Sequence, residues 1–93
     1  MYNLFVTYTA PDKNKIREFY QAIIAAGVKT ATDKEAESLF YEYYFSVERE
    51  NELLLIEKWT DKSAQAYHDT LPHLKKLEEI KPKYAIETKV EEF

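Results

Sequence analysis

The chain lacks cysteine altogether and contains a single glycine, and these two absences exclude several kinds of site. Without cysteine there is no disulfide framework, no thiolate metal ligand and no cysteine nucleophile. One glycine cannot build a glycine-rich phosphate loop or the glycine-flanked turn that presents a catalytic serine. The 93 residues therefore predict one domain, residues 1–93, whose chemistry must come from histidine, carboxylate, tyrosine and tryptophan side chains.

Positive charge and long apolar runs are also scarce. The 13 basic residues are outnumbered by 17 acidic ones. The resulting net charge of −4 does not favour binding to nucleic acid or to an anionic membrane. No stretch approaches the roughly 20 apolar residues that a membrane helix needs. No signal peptide is visible either. We therefore expect a cytoplasmic protein without nucleic-acid or membrane partners.

Alternation of apolar and other residues predicts four strands. They are Tyr2–Thr9, Ser38–Val47, Glu52–Trp59 and Lys83–Glu91. The second strand places mostly apolar residues on both of its faces. Leu39, Tyr41, Tyr43, Phe45 and Val47 form one face, and Phe40, Tyr44 and Ser46 lie on the other with Glu42. A sheet with one solvated face should alternate more cleanly, so we expect helices to cover one side and a partner subunit the other.

Helical spacing fills the intervals between the first strand and the second, and between the third and the fourth. Asp12 is a suitable N-cap for the first helix, and Gly27 a suitable residue for its C-terminal end. The segment Lys29–Glu37 is polar and predicts a loop with room for one helical turn. The second helix follows Asp61 and is broken at Pro72. This order predicts an α+β, ferredoxin-like βαββαβ fold, a four-stranded antiparallel sheet with helices on one face.

The rare residues gather in Leu53–Leu77, which holds both histidines and the only tryptophan. His68 lies four residues after Ala64, so it points inward with the apolar face of its helix. His73 shares a stripe with Leu77 and also starts on the inner side. An inward imidazole in a small dry cavity can titrate near neutral pH and transfer protons. It can equally be a core histidine satisfied by one hydrogen bond, and the sequence leaves both readings open.

A metal site is an alternative use for the two histidines. His68, His73 and Glu57 could in principle supply two imidazoles and one carboxylate. However, Pro72 places the two histidines on different helical segments, and no His-x-x-x-His pair is present. We therefore predict no metal ligands.

Aromatic and acidic residues beside the histidines have two readings each. Trp59 is either a core residue or a stacking wall for a flat ligand. Glu57 stands among apolar residues, so its carboxylate needs a partner or a shifted pKa. Tyr41 and Tyr43 are either packing residues or hydroxyl groups that face a phenolic ligand.

The run from Glu57 to His73 resembles the signature of the antibiotic biosynthesis monooxygenase domain family, in its small quinol monooxygenase-like branch. The matching positions are Glu57, Trp59, Asp61, Ala64, His68, Thr70, Pro72 and His73. The chain departs from the pattern before the second strand, where Glu37 and Ser38 replace Gly-Cys. That difference affects the rim of the expected pocket.

The resemblance implies a homodimeric α+β barrel with a pocket between sheet and helices. It further implies oxygenation of a quinol-like or other small aromatic molecule without metal, flavin or haem. His68 would be the general base or hydrogen-bond partner and Trp59 the stacking wall. Tyr41 or Tyr43 would orient the substrate. We expect Glu57 and His73 to be binding residues as well. Two alternatives stay open: a non-catalytic dimer that binds a small hydrophobic ligand, and an isomerase-type relative acting on a small signalling metabolite.

Overall fold

One antiparallel sheet forms the frame of the protein in a computed structural model that describes residues 1–93. Its strands are β1 (Tyr2–Thr9), β2 (Ser38–Phe45), β3 (Glu52–Trp59) and β4 (Glu87–Glu92). They lie in the order β2-β3-β1-β4, so the first and third strands are central. The ferredoxin-like prediction is confirmed.

Four helices cover one face of this sheet. They are α1 (Lys13–Ala25), α2 (Val28–Asp33), α3 (Lys62–His68) and α4 (Pro72–Ile80). Asp12 caps α1 as predicted, since its carboxylate accepts a hydrogen bond from the Lys15 amide. None of the helices is both long enough and apolar enough to pass through a membrane.

The segment predicted as a loop contains α2, so that part of the prediction was wrong. Gly27 adopts the left-handed conformation (φ 79°) between α1 and α2, where it turns the chain directly into a second helix. Val28 and Thr32 are both fully buried one turn apart, and the Thr32 hydroxyl donates to the Val28 carbonyl. The segment forms a helix despite its polar composition, because the helix buries Val28 and Thr32 on one face.

Two strand boundaries also differ from the predicted ones. A 3-10 turn that contains Pro82 spans Lys81–Tyr84, and β4 begins only at Glu87. At the second of these boundaries, β2 ends at Phe45, which leaves Val47 fully exposed. An irregularity in the pairing of β2 with β3 between residues 38 and 40 also turns Leu39 outward.

The core lies between the inner face of the sheet and the helices. Alternate residues of the two central strands point inward, which is the period-two pattern of a half-covered sheet. The fully buried members of this layer and of the facing helix include Leu53, Leu55, Trp59, Ile16, Phe19 and Ile23.

The outer face of the sheet carries a second apolar surface that no helix covers. Its members come from β1, β2 and β3 and from the residue that follows β4: Phe5, Phe40, Tyr44, Leu54, Ile56 and Phe93. Phe93 stacks on Phe5 with ring centroids 3.8 Å apart. We call these six residues the outer aromatic face.

The helix that carries His68 depends on its N-cap. The Asp61 carboxylate accepts a hydrogen bond of 2.8 Å from the Ala64 amide at the first turn of α3. We expect Asp61→Ala to lower the free energy of unfolding by about 1 kcal/mol, because N-cap removal leaves that amide unpaired. Urea denaturation measures the change. Asp61→Ser, which can still cap, should lose much less, and equal losses in both variants would contradict this role.

Candidate functional site

A cavity of about 330 Å³ lies between the sheet and the helical layer. Residues of β1, β3, β4, α3 and α4 line it, together with Tyr41 from β2. Leucine and valine side chains form much of the wall, and Glu57 and His68 add polar groups. The cavity therefore combines an apolar surface with a few convergent polar groups, as ligand sites usually do.

His68 is the last residue of α3 and only 1% exposed. Its ring lies 4.6 Å from the Trp59 ring and 5.6 Å from the Tyr41 ring. Nδ1 lies 2.6 Å from Oε2 of Glu35, whereas Nε2 has no hydrogen-bond partner within the protein. Burial lowers the pKa of His68, and its contact with the Glu35 carboxylate opposes that shift. The imidazole is therefore neutral at neutral pH and keeps one nitrogen free in a residue that lines the cavity.

Glu57 is a buried carboxyl group in the same cavity, with 6% of the residue exposed. Its Oε1 accepts a hydrogen bond of 3.0 Å from the indole Nε1 of Trp59. Burial raises the pKa of Glu57 to about 7, an effect that the Trp59 hydrogen bond partly opposes. Near neutral pH this carboxyl group therefore exchanges between a proton donor and a proton acceptor.

Glu35 is the residue that the sequence reasoning missed. It follows α2 in the segment predicted as a loop, and its Oε2 meets both Nδ1 of His68 and Nε2 of His73, the latter at 3.0 Å. Pro72 does not keep the two imidazoles apart, because α3 and α4 direct both at one carboxylate. The expectation that the helix break at Pro72 separates the two histidines is therefore wrong. The only available signal was that two inward histidines require an acceptor.

The expected site residues divide into two groups. Tyr41, Glu57 and His68 line the cavity. Burial raises the pKa of the Tyr41 phenol well above its ordinary value, so this hydroxyl stays protonated. It can therefore donate a hydrogen bond to a bound molecule.

Three residues expected at the pocket do not line it. Trp59 is fully buried against His68 and bonded to Glu57, so it supports two residues that line the cavity. Tyr43 packs between Tyr20 and Tyr41, and its buried hydroxyl has no partner. His73 lies outside the cavity lining and reaches it only through Glu35 and His68.

The cavity wall carries more negative than positive charge. Glu57, Asp69 and Glu78 line it, and Lys81 is the only lysine or arginine there. The Lys81 ammonium is bound to Glu78 at 2.8 Å. No cation is left free to pair with a phosphate or carboxylate group of a ligand.

The detectable relatives of this chain are structural. No family model matches it, and no curated protein matches it in sequence at a significant level. A Deinococcus radiodurans protein, provisionally assigned as an antibiotic biosynthesis monooxygenase, superposes with a TM-score of 0.86 at 18% identity, over 100% of this chain and 90% of its own. A Caulobacter crescentus protein with the same provisional assignment gives 0.79 at 18% identity, over 99% and 87%. The chain has the fold of the antibiotic biosynthesis monooxygenases.

A third structural neighbour comes from Bacteroides thetaiotaomicron and is described as a possible oxidoreductase. It superposes with a TM-score of 0.85 at 20% identity, over 99% of this chain and 94% of its own. Identities this low establish the shared fold, whereas the reaction has to be argued from the cavity of this chain.

Proposed function

We propose that the protein is a monooxygenase that oxidises a quinol-like aromatic molecule in the cavity without an added cofactor. The observation that carries this proposal is the free Nε2 of a buried, carboxylate-anchored imidazole in a residue that lines the cavity. An apolar cavity of about 150 Å³ already holds benzene. The cavity of about 330 Å³ therefore has room for a substituted aromatic ring and molecular oxygen.

The reaction needs a base and a sheltered site more than it needs a metal or flavin. His68 Nε2 accepts the proton of one substrate hydroxyl, and the resulting phenolate is electron-rich enough to reduce oxygen itself. For hydroquinone the balance is one quinol and one O₂ giving one hydroxyquinone and one water. The substrate supplies all four electrons. Tyr41 and the protonated form of Glu57 line the cavity, and in this proposal they donate hydrogen bonds to substrate oxygens.

The charge of the wall argues for an uncharged substrate. The ionised carboxyl side chains would repel an anionic group, and the one lysine is already paired with Glu78. A phosphorylated signalling metabolite, as an isomerase-type relative would bind, fits this wall poorly. A neutral diol fits it well. In a binding assay we therefore expect hydroquinones to bind more tightly than their carboxylated analogues.

We also propose that the protein works as a homodimer in which the outer aromatic face packs against its counterpart. Six apolar or aromatic side chains on one sheet face are more than an isolated small domain ordinarily leaves open. Light scattering at micromolar concentration should give twice the 11.0 kDa chain mass. Ile56→Glu should give monomers. Gln21→Glu, at an exposed position of α1, makes the same charge change and should stay dimeric; a monomeric parent protein would contradict the proposal.

Oxygen consumption tests the proposed reaction. A Clark electrode with a panel of hydroquinones should record uptake above the buffer rate, and the matching hydroxyquinone should appear by absorbance. Ligand binding is followed independently through fluorescence of Trp59, the only tryptophan, which is bonded to a cavity residue. Saturable quenching without oxygen uptake would favour the alternative function, a non-catalytic dimer that binds a ligand.

A further inference from the structure

We propose that Glu35, held in place by His73, is a positioning residue that fixes the tautomer of His68. With Nδ1 protonated and bonded to Glu35, His68 presents the lone pair of Nε2 to the cavity. This inference rests on the proposed function for its catalytic meaning. Its geometry, however, is independent of any substrate.

Three separate elements bring the cluster together. Glu35 comes from the turn after α2, His68 from the end of α3 and His73 from the start of α4. Both imidazoles approach the same oxygen, Oε2, at 2.6 Å and 3.0 Å. The three side chains are 14%, 1% and 12% exposed, so water competes little for these bonds.

The distances between these atoms are those of hydrogen bonds. In a zinc site, metal–ligand bonds of about 2.0–2.1 Å hold neighbouring ligand atoms about 3 Å or more apart. The separation of 2.6 Å between His68 Nδ1 and Glu35 Oε2 is shorter than that and is typical of a charge-assisted hydrogen bond. One carboxylate oxygen with two lone-pair directions can accept from both rings.

The hydrogen bond at one ring nitrogen decides the state of the other. Neutral histidine in water favours a proton on Nε2, which would leave no acceptor there. The Glu35 carboxylate favours the opposite tautomer of His68, because it accepts only from a protonated Nδ1. It also stabilises the imidazolium that forms once Nε2 takes a proton. The second bond, from His73, prevents the carboxylate from rotating away.

Other charged groups near His68 do not assist in this way. Asp69 follows it on the same chain segment, and Glu57 lines the same cavity from β3. Neither makes a hydrogen bond to the ring, and the phenol of Tyr41 meets it edge-on. The tautomer therefore depends on Glu35 alone.

Nitrogen NMR tests the inference without any turnover. The chain has only two histidines, so long-range ¹H–¹⁵N spectra of labelled protein contain two imidazole patterns, and His73→Phe assigns them. At pH 8 we expect His68 to show a protonated Nδ1 and an unprotonated Nε2. In Glu35→Ala the pattern should reverse. Glu37→Ala removes an exposed carboxylate two residues away and should leave the pattern unchanged.

Glu35→Gln supplies a second measurement. The amide oxygen of glutamine still accepts from Nδ1, so the tautomer should persist while the pKa of His68 falls, because the carboxylate charge is gone. A parent protein with a protonated His68 Nε2, or an unchanged pattern in a folded Glu35→Ala, would overturn the proposal. So would stoichiometric Co²⁺ binding with a ligand-field spectrum that is lost in Glu35→Ala.

The two proposals fail in different ways. If the tautomer behaves as expected but no quinol is oxidised, the proposed reaction is wrong and the positioning role stands. If quinols are oxidised and the tautomer of His68 is unchanged in Glu35→Ala, only the positioning role is wrong. Where turnover exists, Glu35→Ala should lower kcat at least tenfold and leave KM nearly unchanged, since Glu35 does not line the cavity.

Discussion

Replacement of His68 by glutamine is expected to lower kcat for hydroquinone oxygenation by about 10²–10⁴-fold, the range typical of a lost general base. Glutamine is polar and of similar reach, but its side chain cannot take up a proton near neutral pH. Steady-state oxygen uptake measures the change. Ligand affinity, followed by Trp59 fluorescence, should change far less, because the apolar wall that binds the ring is untouched.

The control for this experiment must separate lost chemistry from lost packing. His68 is buried against Trp59, so circular dichroism and thermal unfolding of His68→Gln are needed beside the kinetics. Tyr67 precedes it on α3 and is 65% exposed, so Tyr67→Ser should keep the parent kcat. A folded His68→Gln protein with parental kcat would eliminate the imidazole as the base.

The local spacing of apolar residues is enough to predict the helix that carries His68 and the direction in which its side chain points. Four helical positions separate Ala64 from His68, and that spacing alone puts the imidazole on the inner side of α3. Strand alternation likewise puts Glu57 and Trp59 on the same face of β3. Such patterns are visible in one sequence because each arises from neighbours within a few residues.

Contacts between distant segments could not be predicted in the same way. Glu35 and His68 are 33 residues apart, and they meet only because the buried face of α2 fixes the turn that follows it. The position of Trp59 shows the same limit: its inward direction was predictable, but its separation from the cavity depends on the His68 ring. The site therefore follows from tertiary packing more than from the motif.

The largest expected effect on stability comes from Glu57. Its pKa of about 7 in the folded protein compares with an ordinary value of 4.5. Between these two values the folded state holds a proton that the unfolded state has released, so rising pH destabilises the fold. The slope is about 1.4 kcal/mol per pH unit. Above pH 7 the accumulated cost is on the order of 3 kcal/mol.

Glu57→Gln removes this cost, because glutamine stays neutral while its oxygen can still accept from the Trp59 indole. The variant and the parent should be about equally stable below pH 4.5. Above pH 7 the variant should be more stable by up to about 3 kcal/mol. Urea denaturation between pH 4 and 8 measures the difference.

The lowered pKa of His68 acts in the opposite direction and is present in both proteins. In the unfolded chain this histidine binds a proton as the pH falls through 6.5, whereas the folded protein resists it, so stability declines with acid. Subtracting the two curves cancels this contribution and isolates Glu57. Glu87→Gln, on exposed β4, should follow the parent curve throughout. A Glu57→Gln difference that did not change with pH would mean that this carboxyl titrates normally in the fold, and would remove it as a proton donor in the cavity.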